Sequence, residues 1–187
     1  MHTFDPAATI ASPRPRLVRT ARSDSFPRLS DDVIKPTRVS FGGTAAIVTS
    51  MALITGLDAA RAGRGSLIGA LLIAAVADNL TDSLSVHMYQ ESERLEQREA
   101  FIGTVTNFAT RFVLCLSFVL IVAVAGVHAA AGWGVLWGMT LLAALSYIVA
   151  LHRRVSIASE IAKHVAVALM VILVSKGLGH WIIVYFN

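Results

Sequence analysis

Cysteine is almost missing from this chain: Cys115 stands alone, and one thiol closes no disulfide within a chain. It falls inside an apolar run, where a small packed residue is the expected role. Proline is missing after Pro36; Pro6, Pro13, Pro15, Pro27 and Pro36 all precede the first long apolar run. Charge is scarce, at 15% of 187 residues against 55% hydrophobic, which is too apolar for an ordinary soluble domain. No HExxH, CxxC, phosphate-binding glycine loop or nucleophile–base pattern occurs, and the glycine-rich stretch Ala62–Ser66 reads as a turn between helices. An enzyme therefore has no residues to stand on, and no cofactor is expected. The basic residues lack interleaved aromatics, which argues against a nucleic-acid partner.

What the chain does have is hydrophobic length. Five runs approach or reach the roughly 20 residues that span a bilayer as helix: Val39–Leu57, Ser66–Met88, Phe108–Val127, Gly132–Leu151 and His164–Val184. The expected fold is an all-α integral membrane protein with five transmembrane helices over residues 39–187. Residues 1–38 read as a disordered basic tail held near anionic lipid headgroups, without the apolar core of a signal peptide.

Lysine and arginine set the expected orientation. Thirteen of the sixteen fall on one side of a five-span topology, seven of them in the tail, and Arg61, Arg64 and Lys176 on the other. That count includes Arg111, taken as lying in the first turn of the third run. The N-terminus is thus expected in the cytoplasm and the C-terminus opposite. Nothing in the sequence distinguishes a plasma or inner membrane from an organelle membrane. Five helices give no two equal halves within one chain, so a transport path is expected between subunits. Gly134 and Gly138 form a GxxxG that permits close helix contact and lends some support to a homodimer.

The second run carries two carboxylates, Asp78 and Asp82. At about 100° per residue, Asp82, Ser85, Tyr89, Ser92, Glu93, Glu96 and Glu99 fall within roughly 60° of Asp78 on a helix. With no proline or glycine between Ala74 and Ala100, the run is expected to continue as one helix to Arg98, with an acidic extension over residues 89–100. A charged residue at the bilayer centre costs about 2.5–3.5 kcal/mol, so the two aspartates should face protein, water or a cation. Oxygen ligands suit hard divalent ions, and Fe(II) also accepts carboxylates. The bland reading pairs Asp78 and Asp82 with Arg111 and holds helices together. For Glu93, Glu96 and Glu99 a cation-collecting role competes with a solvated mixed-charge helix, since Arg94 and Arg98 are interleaved. Thr44, Met51, Thr55 and Asp58 share a second face on the first run. Of these, Thr44 and Met51 are the candidates to complete a metal site. His87 reads as interfacial, although its spacing from Glu91 also permits chelation.

The stretch FGGTAAIVTSMALITGL (Phe41–Leu57) resembles the first helix of the vacuolar iron transporter family, with Phe41, Gly42, Ile47, Val48, Thr49, Ser50, Ala52 and Leu53 fitting its pattern. On the family's second-helix pattern its Glu falls at Asp82 and its Ser at Ser85. QESERLEQRE resembles the start of the family's metal-collecting helices, and IAKHVAVALMVILVSKGLGHWI its fifth helix. The resemblance implies a homodimeric carrier moving Fe(II) or Mn(II) out of the cytoplasm, in exchange for protons. The family's first-helix Asp aligns with Ala45 and its second-helix Met with Asp78, so Asp78 is expected to supply the carboxylate that position 45 lacks. The expected metal-binding set is Asp78, Asp82, Glu93, Glu96, Glu99, Thr44 and Met51. The rival expectations are a non-transporting scaffold or regulatory subunit, and a proton-linked carrier of an organic cation.

Overall fold

The computed structural model describes residues 36–92 and 97–186. Nearly all of the tail, together with Glu93 and Glu96, lies outside the described residues. Among the described residues every regular element is helical: α1 (Pro36–Ala59), α2 (Arg64–Ile73), a π-helical turn (Ala74–Asp78), α3 (Asn79–Ser92), α4 (Gln97–Ala125), α5 (Val127–Arg153) and α6 (Ile157–Phe186). Together α2, the π-turn and α3 make one uninterrupted span. Five segments have the length and composition to cross a membrane: Gly42–Ala59, Arg64–Ser92, Ala100–Ala125, Ala129–Arg153 and Ile157–Phe186. Hydrocarbon supplies no hydrogen-bond partners, so each segment must satisfy its own backbone, and helix does this locally. The absence of proline after Pro36 means that no span loses a ladder hydrogen bond to an imino nitrogen. Three of the turns between spans carry a positive φ, at Arg61 (53°), Gly126 (73°) and Arg154 (52°).

The first span is the hub. It packs against α4, α5 and α6, and 44% of it is buried against 17–28% for the others. Its buried side chains Ile47, Met51 and Ile54 meet Phe118, Val122, Leu142 and Ile172 in one cluster. Against lipid this burial brings little hydrophobic gain, because acyl chains are as apolar as leucine; close packing must hold the helices instead. Small residues supply it. A side chain on Gly179 would strike Gly56 O and Ala59 Cβ, so α6 lies directly on α1. Gly134 faces Ile54, and Gly138 faces Met51 and Phe118. The GxxxG therefore seats α5 on α1 within one chain, which corrects its reading as a contact between copies.

The expected single helix from Asp78 to Arg98 is also corrected. α3 ends at Ser92, and the next helix starts at Gln97 and packs back along it. Contacts between Gln90 and Gly103, His87 and Thr104, Ser83 and Asn107, and Asn79 and Arg111 pair falling with rising residue numbers, as two antiparallel helices require. Glu99 accordingly belongs to the helix of the third span rather than to an extension of the second.

Candidate functional site

The ladder between α3 and α4 leads to Arg111. This residue lies fourteen positions into α4, about 21 Å along it at 1.5 Å per residue. It is therefore deep in the third span and not in its first turn. Only 2% of its side chain is exposed, and four groups receive its protons. Nε donates to Asn79 Oδ1 at 2.9 Å, and NH1 donates to Asp82 Oδ2 at 2.7 Å and to the Gly42 carbonyl at 3.2 Å. NH2 donates to Asp78 Oδ2 at 3.2 Å. A guanidinium's fixed fork suits this arrangement, since one planar group reaches the first, second and third spans at once.

The backbone that presents the acids is irregular. Asn79 N–H bonds to Ala74 O, five residues back, in the π-turn. An unbroken α-helix would send that N–H to Ala75 O; here the side-chain amide of Asn79 reaches Ala75 O instead, at 2.8 Å. Its Oδ1 is thereby aimed at Arg111. One side chain both repairs the turn and anchors the guanidinium. π-turns of this kind occur frequently at functional sites. Next to it, Asn79 Nδ2 lies 3.8 Å from Cys115 Sγ, which in turn lies 3.6 Å from Ser50 Oγ. Cys115 is buried as part of this packed polar seam, in line with its expected role. One helical turn on, Asn107 Nδ2 donates to Ser83 Oγ at 3.1 Å.

Gly42 must be a glycine for this cluster to close. A Cβ there would collide with the Asn107 amide and press on Arg111 Cδ. The approach brings Gly42 O within reach of NH1.

The aspartates differ from the arginine in exposure. The Asp78 side chain is 50% exposed and that of Asp82 37%. Each meets the guanidinium through Oδ2, and among the described residues neither Oδ1 has a hydrogen bond or ion pair. They open onto a flank whose other exposed residues include Ala77, Thr81 and Ser85, with Thr81 and Ser85 bonding back to the carbonyls of Ala77 and Thr81. Larger apolar side chains, Val76, Leu80 and Leu84, flank this strip. Asp78 is fourteen residues from either end of the second span, so the flank lies at mid-membrane depth.

Of the other expected ligands, Glu93, Glu96 and the side chain of Glu99 lie outside what the structure describes. Met51 is fully buried in the hydrophobic cluster beside Gly138, as a packing residue. Thr44 is half-buried on α1, two residues from Gly42. Among the described residues no three His, Cys, Asp or Glu side chains are grouped to hold a metal ion. The Asp78–Asp82 pair acquires instead a cationic partner, Arg111, the pairing given above as the bland reading. An apolar groove of about 650 Å³ runs between α4 and α5, lined by Leu120, Ile121, Val124, Trp133, Leu136 and Trp137, and touches none of the three charged residues. The sequence pattern had not singled out Asn79 or Asn107, and Gly42 had entered only as a match to the iron-transporter first helix. Asn79, one residue after Asp78 in an apolar run, carried a readable signal, because buried amides in membrane helices seek partners.

Five helices with the length and composition of membrane spans fit a multi-pass α-helical membrane protein. Comparison with known proteins gives no matching family model, curated protein or solved structure. The likeness to iron transporters therefore rests on the quoted residues alone.

Proposed function

We propose that the protein carries a divalent cation, Fe(II) or Mn(II), out of the cytoplasm, along a path where the Asp78–Asp82 flanks of two copies face each other. The observation that carries this reading is the charge of the cluster. Counted by formal charge, one guanidinium and two carboxylates leave one negative charge in excess midway along the second span. Two chains facing each other would leave two, which one divalent ion balances. Without a facing copy, half-exposed carboxylates would meet acyl chains, a placement that costs about 2.5–3.5 kcal/mol for a charge at the bilayer centre.

In this reading Arg111 is the resident counter-ion. It stays tied to Asn79 and Gly42 O while the unengaged Oδ1 edges of the aspartates take the travelling ion. Proton uptake by the aspartates weakens their hold on the metal and supplies the exchange. Glu93, Glu96 and Glu99 would gather the ion at the cytoplasmic mouth, on the orientation given by the basic residues.

Transport of several divalent metals into proteoliposomes, across a pH gradient, tests the proposal with purified protein alone. Asp82→Asn is expected to abolish flux while the protein still inserts and folds. Asp78→Ala should lower the apparent affinity for the metal. Unchanged flux in Asp82→Asn removes that residue from the mechanism.

The second reading, a non-transporting scaffold or regulatory subunit, is favoured by the four hydrogen bonds that hold Arg111 in place. All three of its nitrogens are engaged, as in a fixed lock. Folded wild-type protein that passes none of the metals tested would leave this reading standing.

A further inference from the structure

The turn that joins α5 to α6 gathers positive charge at one point. Arg153 closes α5, and Lys163 lies within the first two turns of α6. Arg153 NH1 lies 3.4 Å from Glu160 Oε1, and Lys163 Nζ lies 3.5 Å from Glu160 Oε2. One carboxylate thus holds two cations side by side. The Glu160 side chain is 9% exposed, whereas those of Arg153 and Lys163 are 61% and 70% exposed. The anchor is buried and the cations stand outside it. Behind them the frame is tied, with Ser146 Oγ on α5 3.1 Å from His164 Nδ1 on α6 and Val155 N–H bonded to Ala150 O at 3.2 Å. Between the helices Arg154 takes left-handed backbone (φ 52°, ψ 40°), which glycine or asparagine usually supplies at a helix end. Its side chain is exposed, with no hydrogen bond or ion pair among the described residues. Counted by formal charge, Arg153, Arg154 and Lys163 against Glu160 leave two positive charges in excess. Exposed apolar side chains, Leu151, Val155 and Ile157, alternate with these cations.

We propose that this turn binds the headgroup of an anionic phospholipid, with the phosphodiester on Arg153, Arg154 and Lys163 and the upper acyl chain against Leu151, Val155 and Ile157. The depth fits, since the turn lies where the span Ala129–Arg153 ends and Ile157–Phe186 begins, and headgroups border the hydrocarbon there. The charge fits: a guanidinium's planar fork matches two phosphate oxygens at once, and a net positive turn favours an anionic lipid over a zwitterionic one. The apolar neighbours favour a lipid over free phosphate, which has no apolar surface to bury on them. A basic turn that is merely solvated needs no buried carboxylate to hold its cations together. Arg61 and Arg64, exposed around the turn after α1, have no such anchor among the described residues. The site stands whether or not the Asp78–Asp82 flank carries ions, and on either orientation of the chain.

The test is a titration of the full chain in neutral detergent with phosphatidylglycerol or phosphatidylcholine, counting bound lipid by native mass spectrometry. Phosphatidylglycerol is expected to be retained in preference to phosphatidylcholine, and excess inorganic phosphate should not displace it. Arg154→Gln combined with Lys163→Gln leaves the Arg153–Glu160 pair in place, so the melting temperature in detergent alone should not change. That double variant should bind phosphatidylglycerol at least about tenfold more weakly, on the scale of two basic residues at a lipid surface. Arg61→Gln combined with Arg64→Gln removes the same charge elsewhere and should bind it as the wild type does. Equal retention of the two lipids, displacement by phosphate, an unchanged affinity in the first double variant, or equal weakening in both overturns the proposal.

Discussion

Asn79 concentrates more of the site on one side chain than either aspartate does. Its amide nitrogen supports the Ala75 carbonyl and its amide oxygen takes the Arg111 Nε proton. Replacing it with leucine keeps the branching of the side chain and removes both hydrogen bonds. Each buried polar group left unsatisfied costs about 1–3 kcal/mol, so Asn79→Leu, which strands two, should lower unfolding stability in mild detergent by about 2–6 kcal/mol. Removing Arg111 leaves two carboxylates without their counter-ion, and breaking such a pair costs about 3–5 kcal/mol. Arg111→Ala is expected to lose stability on that scale, and Asp82→Asn added to it should restore part of the loss. No recovery in the double variant would mean that the two charges are not coupled. The aspartates themselves were legible in the sequence, because charge in an apolar run stands out. Arg111 was visible but set too shallow. Thr104, Thr106, Asn107 and Thr110 dilute the hydropathy ahead of it, so the third run was read from Phe108, whereas the helix begins at Gln97.

The helices themselves could be read from periods of apolar length, and all five expected runs correspond to spans. Two features of the elements could not. Between α3 and α4, which pack antiparallel, the sequence reads Glu93, Arg94, Leu95, Glu96 without proline or glycine, so local propensity alone allows one helix to continue. What opposes it is the tertiary ladder from Gln90 and Gly103 down to Asn79 and Arg111, which no single-helix pattern contains. The π-turn lies among alanines, whose small side chains leave no mark of the extra residue. The use of the GxxxG was likewise undetermined, because the motif states that a neighbour comes close and not which neighbour. With Gly138 against Met51 and Phe118, Gly138→Leu should destabilise the single chain by about 1–3 kcal/mol through overpacking. Its oligomeric state by light scattering in detergent should not change. A shift in oligomeric state without loss of stability would return the motif to an interface between copies.

For the whole molecule, the question is what covers the flank of Asp78 and Asp82. Its small and hydroxyl residues are the type that line contacts between membrane helices. If two copies meet there, cysteines placed at Thr81 or Ser85 come within disulfide reach of their counterparts. The native Cys115 is buried and is replaced by alanine for the measurement. Thr81→Cys in that background should form a crosslinked dimer in membranes under mild oxidation. A cysteine at Leu173, on an exposed face of α6, should not. Crosslinking at Leu173 alone would put the copies together on a different face and remove the charge balance on which the proposed carrier depends.

The five-residue turn at Ala74–Asp78 has a consequence for lining this chain up with other sequences. One surplus residue is wound into the second span, so its two ends are out of phase by roughly 100°. A gap-free match to any regular helix can place the correct side chains on one side of that turn only. Equivalences for Asp78 and Asp82 are therefore best counted backward from Ser92, and those for Leu67 and Leu71 forward from Arg64.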